Sequence, residues 1–307
     1  MPISLAASRS FLIKLGYVLL EILTFAGIVF LIIIAFAGIF RTLGLDGSGG
    51  AGLARVQNPY WETLIEYVPQ NIAFLTAFFV MRTYIFRRSF AEMGLTWKYL
   101  VSDLGKGFGM SVVLIGAGFL ILFALQKITY TGTLFNPGQF TGLLVLFFFQ
   151  SWSEEIMSRG FLLATIAHYF GDMAGLIVSS LLFSMLHLLN PDFAWIGAMN
   201  IFLAGIALGL LFLKYRNLWV CTGFHWGWNF AQAGFLDFNV SGFDVYSFIR
   251  FKPLAPSWLS GGTFGFEGSI LAVVFLLAFS IYFWRTVDFS IKKLPQSASD
   301  SGEVGQS

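Results

Sequence analysis

Two adjacent carboxylates and a guanidinium interrupt an otherwise apolar stretch of this chain. Glu154, Glu155 and Arg159 lie within one predicted helix whose other residues are mostly apolar. A charged side chain at the centre of a membrane helix costs roughly 2.5 to 3.5 kcal/mol, so such residues usually serve a function. Carboxylates removed from bulk water can act as general acids or bases near neutral pH. The cluster is therefore the first candidate for a functional site.

Helix geometry separates the roles of the two carboxylates. Glu155 and Arg159 have i,i+4 spacing with the acid on the N-terminal side, which is the better orientation for an ion pair. Glu154 points about 100° away from that face, because a helix has 3.6 residues per turn. We predict that Glu155 and Arg159 form a positioning pair and that Glu154 is the working acid or base.

Two later helices carry further polar residues inside apolar stretches. Phe183 and His187 share one face of the first helix, and His225 and Asn229 share one face of the second. A single histidine inside a membrane is more often a hydrogen-bonded packing residue than a catalyst. The combination of two glutamates, an arginine, two histidines and an asparagine on three helices favours catalysis, metal binding or a proton relay.

Residue counts from the turns predict the depth of these side chains. Glu154 precedes the turn near residues 170–171 by about as many residues as His187 follows it, so both should lie roughly 20–25 Å from that turn. His225 lies closer in sequence to its own turn. It would therefore be shallower by on the order of 10 Å, unless the helices tilt or its turn lies deeper.

The composition predicts an all-α, polytopic membrane protein built as a transmembrane helical bundle. Of its 307 residues, 57% are apolar and only 11% are charged, whereas soluble domains have about 25% charged residues. The net charge of +2 gives no indication of nucleic acid, because the basic residues are spread along the loops, and no nucleic-acid partner is expected. The single cysteine, Cys221, excludes an intramolecular disulfide and a cysteine-rich metal cluster.

Apolar runs predict about eight transmembrane spans. The predicted inner segments hold eleven Lys and Arg residues and the outer loops hold five, so the positive-inside rule places both termini in the cytoplasm. The glycine-rich loop 41–66 is predicted to be flexible. The spans cover approximately residues 17–40, 67–86, 107–125, 140–168, 173–189, 194–213, 218–236 and 267–284.

The predicted spans divide into three parts, of which the central one carries all the motifs. Glycines spaced as Gly105-x-x-x-Gly109 and Gly205-x-x-x-Gly209 predict close packing of helices. The parts are residues 1–106, with the first two spans and an amphipathic connector; residues 107–236, the helical core; and residues 237–307, with an outer loop, the last span and a disordered cytoplasmic tail from residue 292.

The order and spacing of the polar residues resemble those of a known family. The CPBP family consists of intramembrane proteases related to the type II CAAX prenyl endopeptidase and to bacteriocin-immunity (Abi) proteins. The resemblance covers roughly residues 90–230, and Ser158 departs from it where many members carry an aromatic residue. The motifs that carry it are Glu154-Glu155-x-x-x-Arg159, Phe183-x-x-x-His187 and His225-x-x-x-Asn229.

The resemblance implies an intramembrane endopeptidase that cleaves a membrane-associated or lipidated, CAAX-like protein. Its partners would be the lipid bilayer and this peptide or protein substrate. The plasma membrane of a prokaryotic cell is the expected location. The implied roles are Glu154 as the general base that activates water, His187 and His225 as ligands of that water, of a metal or of the oxyanion, Asn229 as an oxyanion donor, and Glu155 with Arg159 as orienting residues.

A zinc ion is the cofactor that the resemblance favours, since the family is often called a metalloprotease family. Glu154, His187 and His225 would then form a two-histidine, one-glutamate set with an open position for water. The H-E-x-x-H helix usual in zinc proteases is absent from the sequence. A water activated by Glu and His without a metal is the alternative.

Two other functions use the same residues differently. A non-catalytic scaffold or immunity protein would employ the fold to bind a partner, and a transporter would use the Glu and His cluster as a proton relay. No inverted repeats are recognisable in the sequence, which disfavours transport. The motifs specify neither the natural substrate nor the oligomeric state.

Overall fold

The structure is a computed structural model that describes residues 5–42, 59–86, 94–254 and 257–289. The tail from residue 292, predicted to be disordered, lies outside these ranges, as does much of the glycine-rich loop 41–66. The described residues are nearly all helical, which confirms the predicted all-α class at this coarse level.

Helices occupy each of the eight stretches predicted as spans. Three π-helical segments continue or connect them: Met81–Phe86 after α2, Ile156–Leu163 between α4 and α5, and Ala231–Phe235 after α8. The helices are α1 (Leu5–Thr42), α2 (Pro59–Val80), α3 (Leu100–Ala124), α4 (Pro137–Glu155), α5 (Ala164–Phe170), α6 (Asp172–Leu186), α7 (Trp195–Tyr215), α8 (Leu218–Phe230), the short α9 (Ser257–Ser260) and α10 (Ile270–Trp284).

Three helical stretches among the described residues are long and apolar enough to cross a membrane, namely Arg9–Thr42, Trp97–Ala124 and Trp195–Tyr215. Two shorter apolar helices are α6 and α10. The most apolar window of α7 is 61% buried within the protein and that of α1 only 6%. Helix α7 is therefore central and α1 peripheral. These helices indicate an integral membrane protein, and the count of eight crossings stays a prediction.

Asparagine side chains begin the two helices that carry most of the polar motifs. Asn136 caps α4 by accepting hydrogen bonds from the backbone N–H groups of Gly138 and Gln139, at 3.0 and 3.1 Å. Asn217 caps α8 by accepting a hydrogen bond from the backbone N–H of Trp219 at 3.1 Å. Such caps satisfy N–H groups that lack partners in the first helical turn.

A two-stranded antiparallel sheet departs from the predicted all-helical architecture. Strand β1 (Ile128–Thr133) pairs with β2 (Ile249–Pro253), with Tyr130 opposite Phe251. The β-branched and aromatic residues of both segments favour extended pairing. The two segments are far apart in sequence, so nothing local indicated that the predicted outer loops would pair.

Glycines bring the backbones of α3 and α8 into contact. A Cβ atom added at Gly107 would lie 2.1 Å from the carbonyl oxygen of Val220, and one added at Gly223 would lie 2.2 Å from that of Leu104. Side chains larger than hydrogen do not fit at either position without moving backbone atoms. This contact fixes the position of α8, which carries His225 and Asn229.

The prediction of close helix packing is right for one of the two glycine pairs and wrong for the other. A Cβ at Gly205 would lie 2.8 Å from the Cβ of Ser180, and one at Gly209 would lie 2.4 Å from a Leu176 methyl group, so the prediction of close packing is right for this pair. It is wrong for Gly105 and Gly109, where a Cβ would meet no atom within 4 Å. Both residues lie on the faces of α3 that do not meet α8, which contacts Gly107 instead.

Substitution of Gly223 by alanine is expected to destabilise the fold by at least ~2 kcal/mol, because the new methyl group overlaps a backbone carbonyl that cannot rotate away. Thermal unfolding of the purified protein in detergent measures this loss. Gly105→Ala is the matched control and should leave the unfolding temperature unchanged or slightly higher, since alanine favours helix. Equal unfolding temperatures for the two variants would contradict the proposed α3–α8 contact.

Candidate active site

The Glu pair lies where the winding of the helix changes. Glu154 and Glu155 are the last residues of α4, and Arg159 lies in the π-helical segment Ile156–Leu163 that follows. The sequence predicted one continuous α-helix here. Short π-helical insertions within α-helices occur frequently at functional sites. All three charged side chains are buried, with 5%, 0% and 1% of their surfaces exposed.

Arg159 is held by three separate contacts. Its Nη1 donates to Glu155 Oε1 at 2.8 Å, and its Nη2 donates to the backbone carbonyl of Gly205 on α7 at 3.0 Å. The guanidinium carbon lies 4.8 Å from the ring centre of Phe183 on α6, which is a cation–π distance. The ion pair predicted from the i,i+4 spacing is thus present. Through its three contacts, Arg159 connects α4, α6 and α7.

His225 contacts both carboxylates. Its Nδ1 is 2.8 Å from Glu155 Oε1, and its Nε2 is 3.8 Å from Glu154 Oε2. The residue count placed His225 about 10 Å shallower unless the helices tilt or its turn lies deeper. These contacts bring His225 to the carboxylates, so the residue count alone does not give its position.

Glu154 faces a cavity of about 440 Å3, whereas Glu155 and Arg159 are not among its lining residues. The Oε1 atom of Glu154 accepts a hydrogen bond from Gln150 Nε2 at 3.3 Å, one helical turn earlier. Glu154 therefore remains available to a molecule in the cavity, while the charge of Glu155 is compensated by Arg159. The role of Glu154 as general base stays a prediction.

The remaining predicted site residues line the same cavity. His187 lies just after the last residue of α6, with its Nδ1 2.8 Å from the carbonyl oxygen of Phe183. Asn229 is 2% exposed and lies one turn after His225 on α8. The cavity thus brings together Glu154, His187, His225 and Asn229 from three separate helices.

Gln150 and Glu267 are two of the polar residues of the cavity wall that were not singled out from the sequence. Gln150 has i,i+4 spacing to Glu154, so helix geometry could have identified it. Glu267 lies in a 3₁₀ turn just before α10 and also lines the cavity. Its only sequence signal is a carboxylate directly before an apolar helix, and its distance along the chain from the motifs hides the connection.

The expected zinc ligands do not form a metal site in this structure. Among the described residues, no group of three His, Cys, Asp or Glu side chains is placed to hold a metal ion. Glu154 Oε2 and His225 Nε2 are 3.8 Å apart, a little more than the separation of two ligands on one zinc ion. The contact of His187 Nδ1 with the Phe183 carbonyl leaves Nε2 as the nitrogen that could bind a metal. Zinc at Glu154, His187 and His225 stays a prediction.

Residues 136–231 match the family model for type II CAAX prenyl endopeptidases, Rce1-like. We call residues 136–231 the Rce1-like segment because of this similarity. The match confirms the resemblance inferred from the motifs, and it covers just under a third of the chain. The Rce1-like segment begins at the Asn136 cap of α4, ends just after α8 and includes all six predicted site residues. No curated protein and no solved structure matches the chain.

At the level of the family, the Rce1-like match supports a CAAX-type intramembrane protease. The apolar helices agree with an integral membrane protein. Membrane-embedded proteases of this family would act on peptide or lipidated protein substrates in a bilayer. The match names neither Abi proteins nor metalloproteases, so these two expectations stay predictions. Helices α1, α2, α3 and α10 lie outside the matched segment.

Proposed function

We propose that this protein is an intramembrane endopeptidase that hydrolyses a peptide bond of a membrane-associated or lipidated, CAAX-like protein with a water activated by Glu154. The observation that carries the proposal is the division of the two carboxylates. Glu154 faces the cavity beside His225, whereas Glu155 is paired with Arg159 outside it. The family match of residues 136–231 supports the same class of reaction.

The attacking water would lie between Glu154 and His225. The 3.8 Å between Oε2 and Nε2 is too long for a direct hydrogen bond but leaves both atoms within reach of one water. Because Glu155 accepts at Nδ1, that nitrogen carries the proton and Nε2 is an acceptor in the neutral imidazole. A water donating to both acceptors presents its lone pair to the substrate carbonyl, and Glu154 removes its proton.

The negative charge that develops on the carbonyl oxygen needs a hydrogen-bond donor. Asn229 lies one helical turn after His225, so its side-chain amide reaches the same cavity and can donate to the oxyanion. His187 provides a second polar group of the cavity wall. Glu155 and Arg159 act through His225, because Glu155 Oε1 fixes both the imidazole and the guanidinium.

The direct test is cleavage of a diverse peptide mixture by the purified protein, read by mass spectrometry, with prenylated CAAX peptides included. The proposal expects cuts that occur with the wild type and vanish with Glu154→Gln. Cleavage that persists in the variant would show that another residue or a contaminating protease is responsible. An absence of any cut, together with capture of a specific protein partner, would instead support the scaffold function.

Removal of metal ions distinguishes the zinc-dependent form of this mechanism from the metal-free form. The metal-free form predicts that cleavage survives dialysis against a chelator, and the zinc form predicts that cleavage is lost. The rate before and after dialysis, with zinc added back, measures this. Loss of cleavage on dialysis and its recovery with one equivalent of zinc would show that Glu154, His187 and His225 rearrange into the zinc set expected from the family.

We further propose eight membrane crossings with both termini in the cytoplasm of a prokaryotic cell. The ion pair of Arg216 with Asp172 joins two predicted inner turns. The pairing of β1 with β2 and the hydrogen bond from Asn190 to the Ser241 carbonyl, at 3.1 Å, join predicted outer segments. The three-part division at residues 106 and 236 agrees with this arrangement.

Labelling of introduced cysteines tests this topology, because the native Cys221 is buried. Lys98 and Lys252 are exposed residues on the predicted inner and outer sides, respectively. We expect a membrane-impermeant maleimide to label Lys252→Cys in intact cells and to label Lys98→Cys only after permeabilisation. The reverse pattern would invert the topology, and labelling of both positions in intact cells would refute the alternation of spans.

A further inference from the structure

Glu267 is a buried carboxylate at the wall of the same cavity, and the proposed reaction does not use it. Its side chain accepts three hydrogen bonds. Trp228 Nε1 donates to Oε1 at 3.0 Å, and the backbone N–H and Oγ of Ser241 donate to Oε2 at 3.0 and 2.6 Å. Only 9% of the residue is exposed. The three donors are neutral, so they orient the carboxylate without compensating its charge.

Among the described residues, no Lys, Arg or His forms an ion pair with Glu267, whereas four other acidic side chains are paired with a Lys or an Arg. An ionised group removed from water without a partner is costly, so it is retained where it serves a function. The missing positive charge can come from a molecule that enters the cavity. The four pairs are Asp103 with Lys106, Glu155 with Arg159, Asp172 with Arg216, and Asp237 with Arg250.

The protein holds Glu267 at a fixed place relative to the proposed catalytic residues. The side-chain amide of Asn200 donates to the backbone carbonyls of Glu267 and Ser269, at 2.6 and 2.9 Å, and so anchors the turn before α10. Glu267 lines the same cavity as Glu154 and Asn229. A peptide bound in this cavity for attack can therefore present a residue near the scissile bond to Glu267.

The charges of the cavity wall favour a basic ligand. Glu154 and Glu267 both line the cavity, and no Lys or Arg is among the described residues that line it. A carboxylate has about four acceptor positions, and three of those on Glu267 are occupied, so one remains for an ammonium or guanidinium donor. A hydrogen bond between charged partners is roughly twice as strong as a neutral one.

We propose that Glu267 determines specificity by binding a lysine or arginine side chain of the substrate, a few residues from the scissile bond. This inference rests on the proposed endopeptidase function and adds a substrate class to it. A buried acceptor that loses its partner rejects the mismatched substrate. The wild type should therefore prefer a basic residue over a neutral one of similar size by at least ~10-fold, and disfavour an acidic one further.

Matched peptides that differ at one position test this specificity. For each cleavage site found in the peptide mixture, kcat/KM is measured with Lys, Gln and Glu at successive positions around the site. At one position the wild type should prefer Lys over Gln by at least ~10-fold, and Glu267→Gln should reduce that ratio to about 1. The readout is the ratio of the two kcat/KM values within each variant, which a merely structural role of Glu267 would not change because it would affect both peptides alike. Asp237→Asn, which alters a loop acid outside the cavity wall, is the control and should keep the preference.

Binding measurements distinguish failure of this inference from failure of the proposed function. Fluorescence anisotropy compares the affinity of the Lys and Gln peptides for Glu154→Gln and for Glu154→Gln with Glu267→Gln. A Lys preference that needs Glu267 supports the inference, even if the wild type cuts no peptide and the proposed function fails. Cleavage by a wild type that shows no Lys preference at any position overturns the inference and leaves the proposed function intact. That comparison needs no variant, so it holds even if Glu267→Gln fails to fold.

Discussion

Replacement of Glu154 by glutamine is expected to lower kcat by about 1,000-fold or more, because general-base catalysis contributes 10²- to 10⁴-fold and the amide cannot take a proton from water. Glutamine has nearly the same size as glutamate, and its carbonyl oxygen can still accept the hydrogen bond from Gln150. The folded state should therefore stay within ~1 kcal/mol of the wild type. Single-turnover cleavage of the best peptide and thermal unfolding in detergent measure the two quantities.

Lost activity together with retained stability would identify Glu154 as a catalytic residue. Gln150→Ala provides a control on the same helix, since it removes the hydrogen bond to Glu154 but leaves the carboxylate. It should reduce kcat far less than Glu154→Gln does. If Glu154→Gln retained more than about a tenth of the wild-type kcat, a role as general base would be refuted.

Replacement of Arg159 by methionine is expected to destabilise the protein by about 3–5 kcal/mol, because it leaves Glu155 as a buried charge without a partner. The guanidinium is 1% exposed and also bonds to the Gly205 carbonyl on α7. Activity should fall together with stability, since Glu155 also orients His225. Unfolding temperature and the yield of monodisperse protein after detergent extraction measure the loss.

A double variant tests whether the unpaired charge is the cause. Glu155→Gln combined with Arg159→Met removes both charges, so it should recover a large part of the stability lost in Arg159→Met. Activity should not recover, because Glu155→Gln replaces the carboxylate at His225 Nδ1 with an amide. Equal stability of the single and double variants would show that packing around Arg159, and not the buried charge of Glu155, dominates.

Local geometry determined the part of the site that lies on one helix. The i,i+4 spacing was enough to predict the ion pair of Glu155 with Arg159 and the different direction of Glu154, because helix periodicity depends only on neighbouring residues. The positions of the eight helical stretches also followed from runs of apolar residues. The π-helical winding after Glu155 did not follow, since it depends on what the segment packs against.

Contacts between distant segments determined the rest, and only the tertiary structure shows them. Residue counts alone did not place His225 beside both carboxylates, because they contain neither the tilt of the helices nor the packing of α8. The glycine pattern on α3 indicated Gly105, whereas the backbone contact with α8 uses Gly107. Glu267 joins the cavity through Trp228 and Ser241, which are 39 and 26 residues away in the chain. Sequence spacing reports which residues share a helix face, but which faces meet is decided by side-chain volume and hydrogen bonding across the whole bundle.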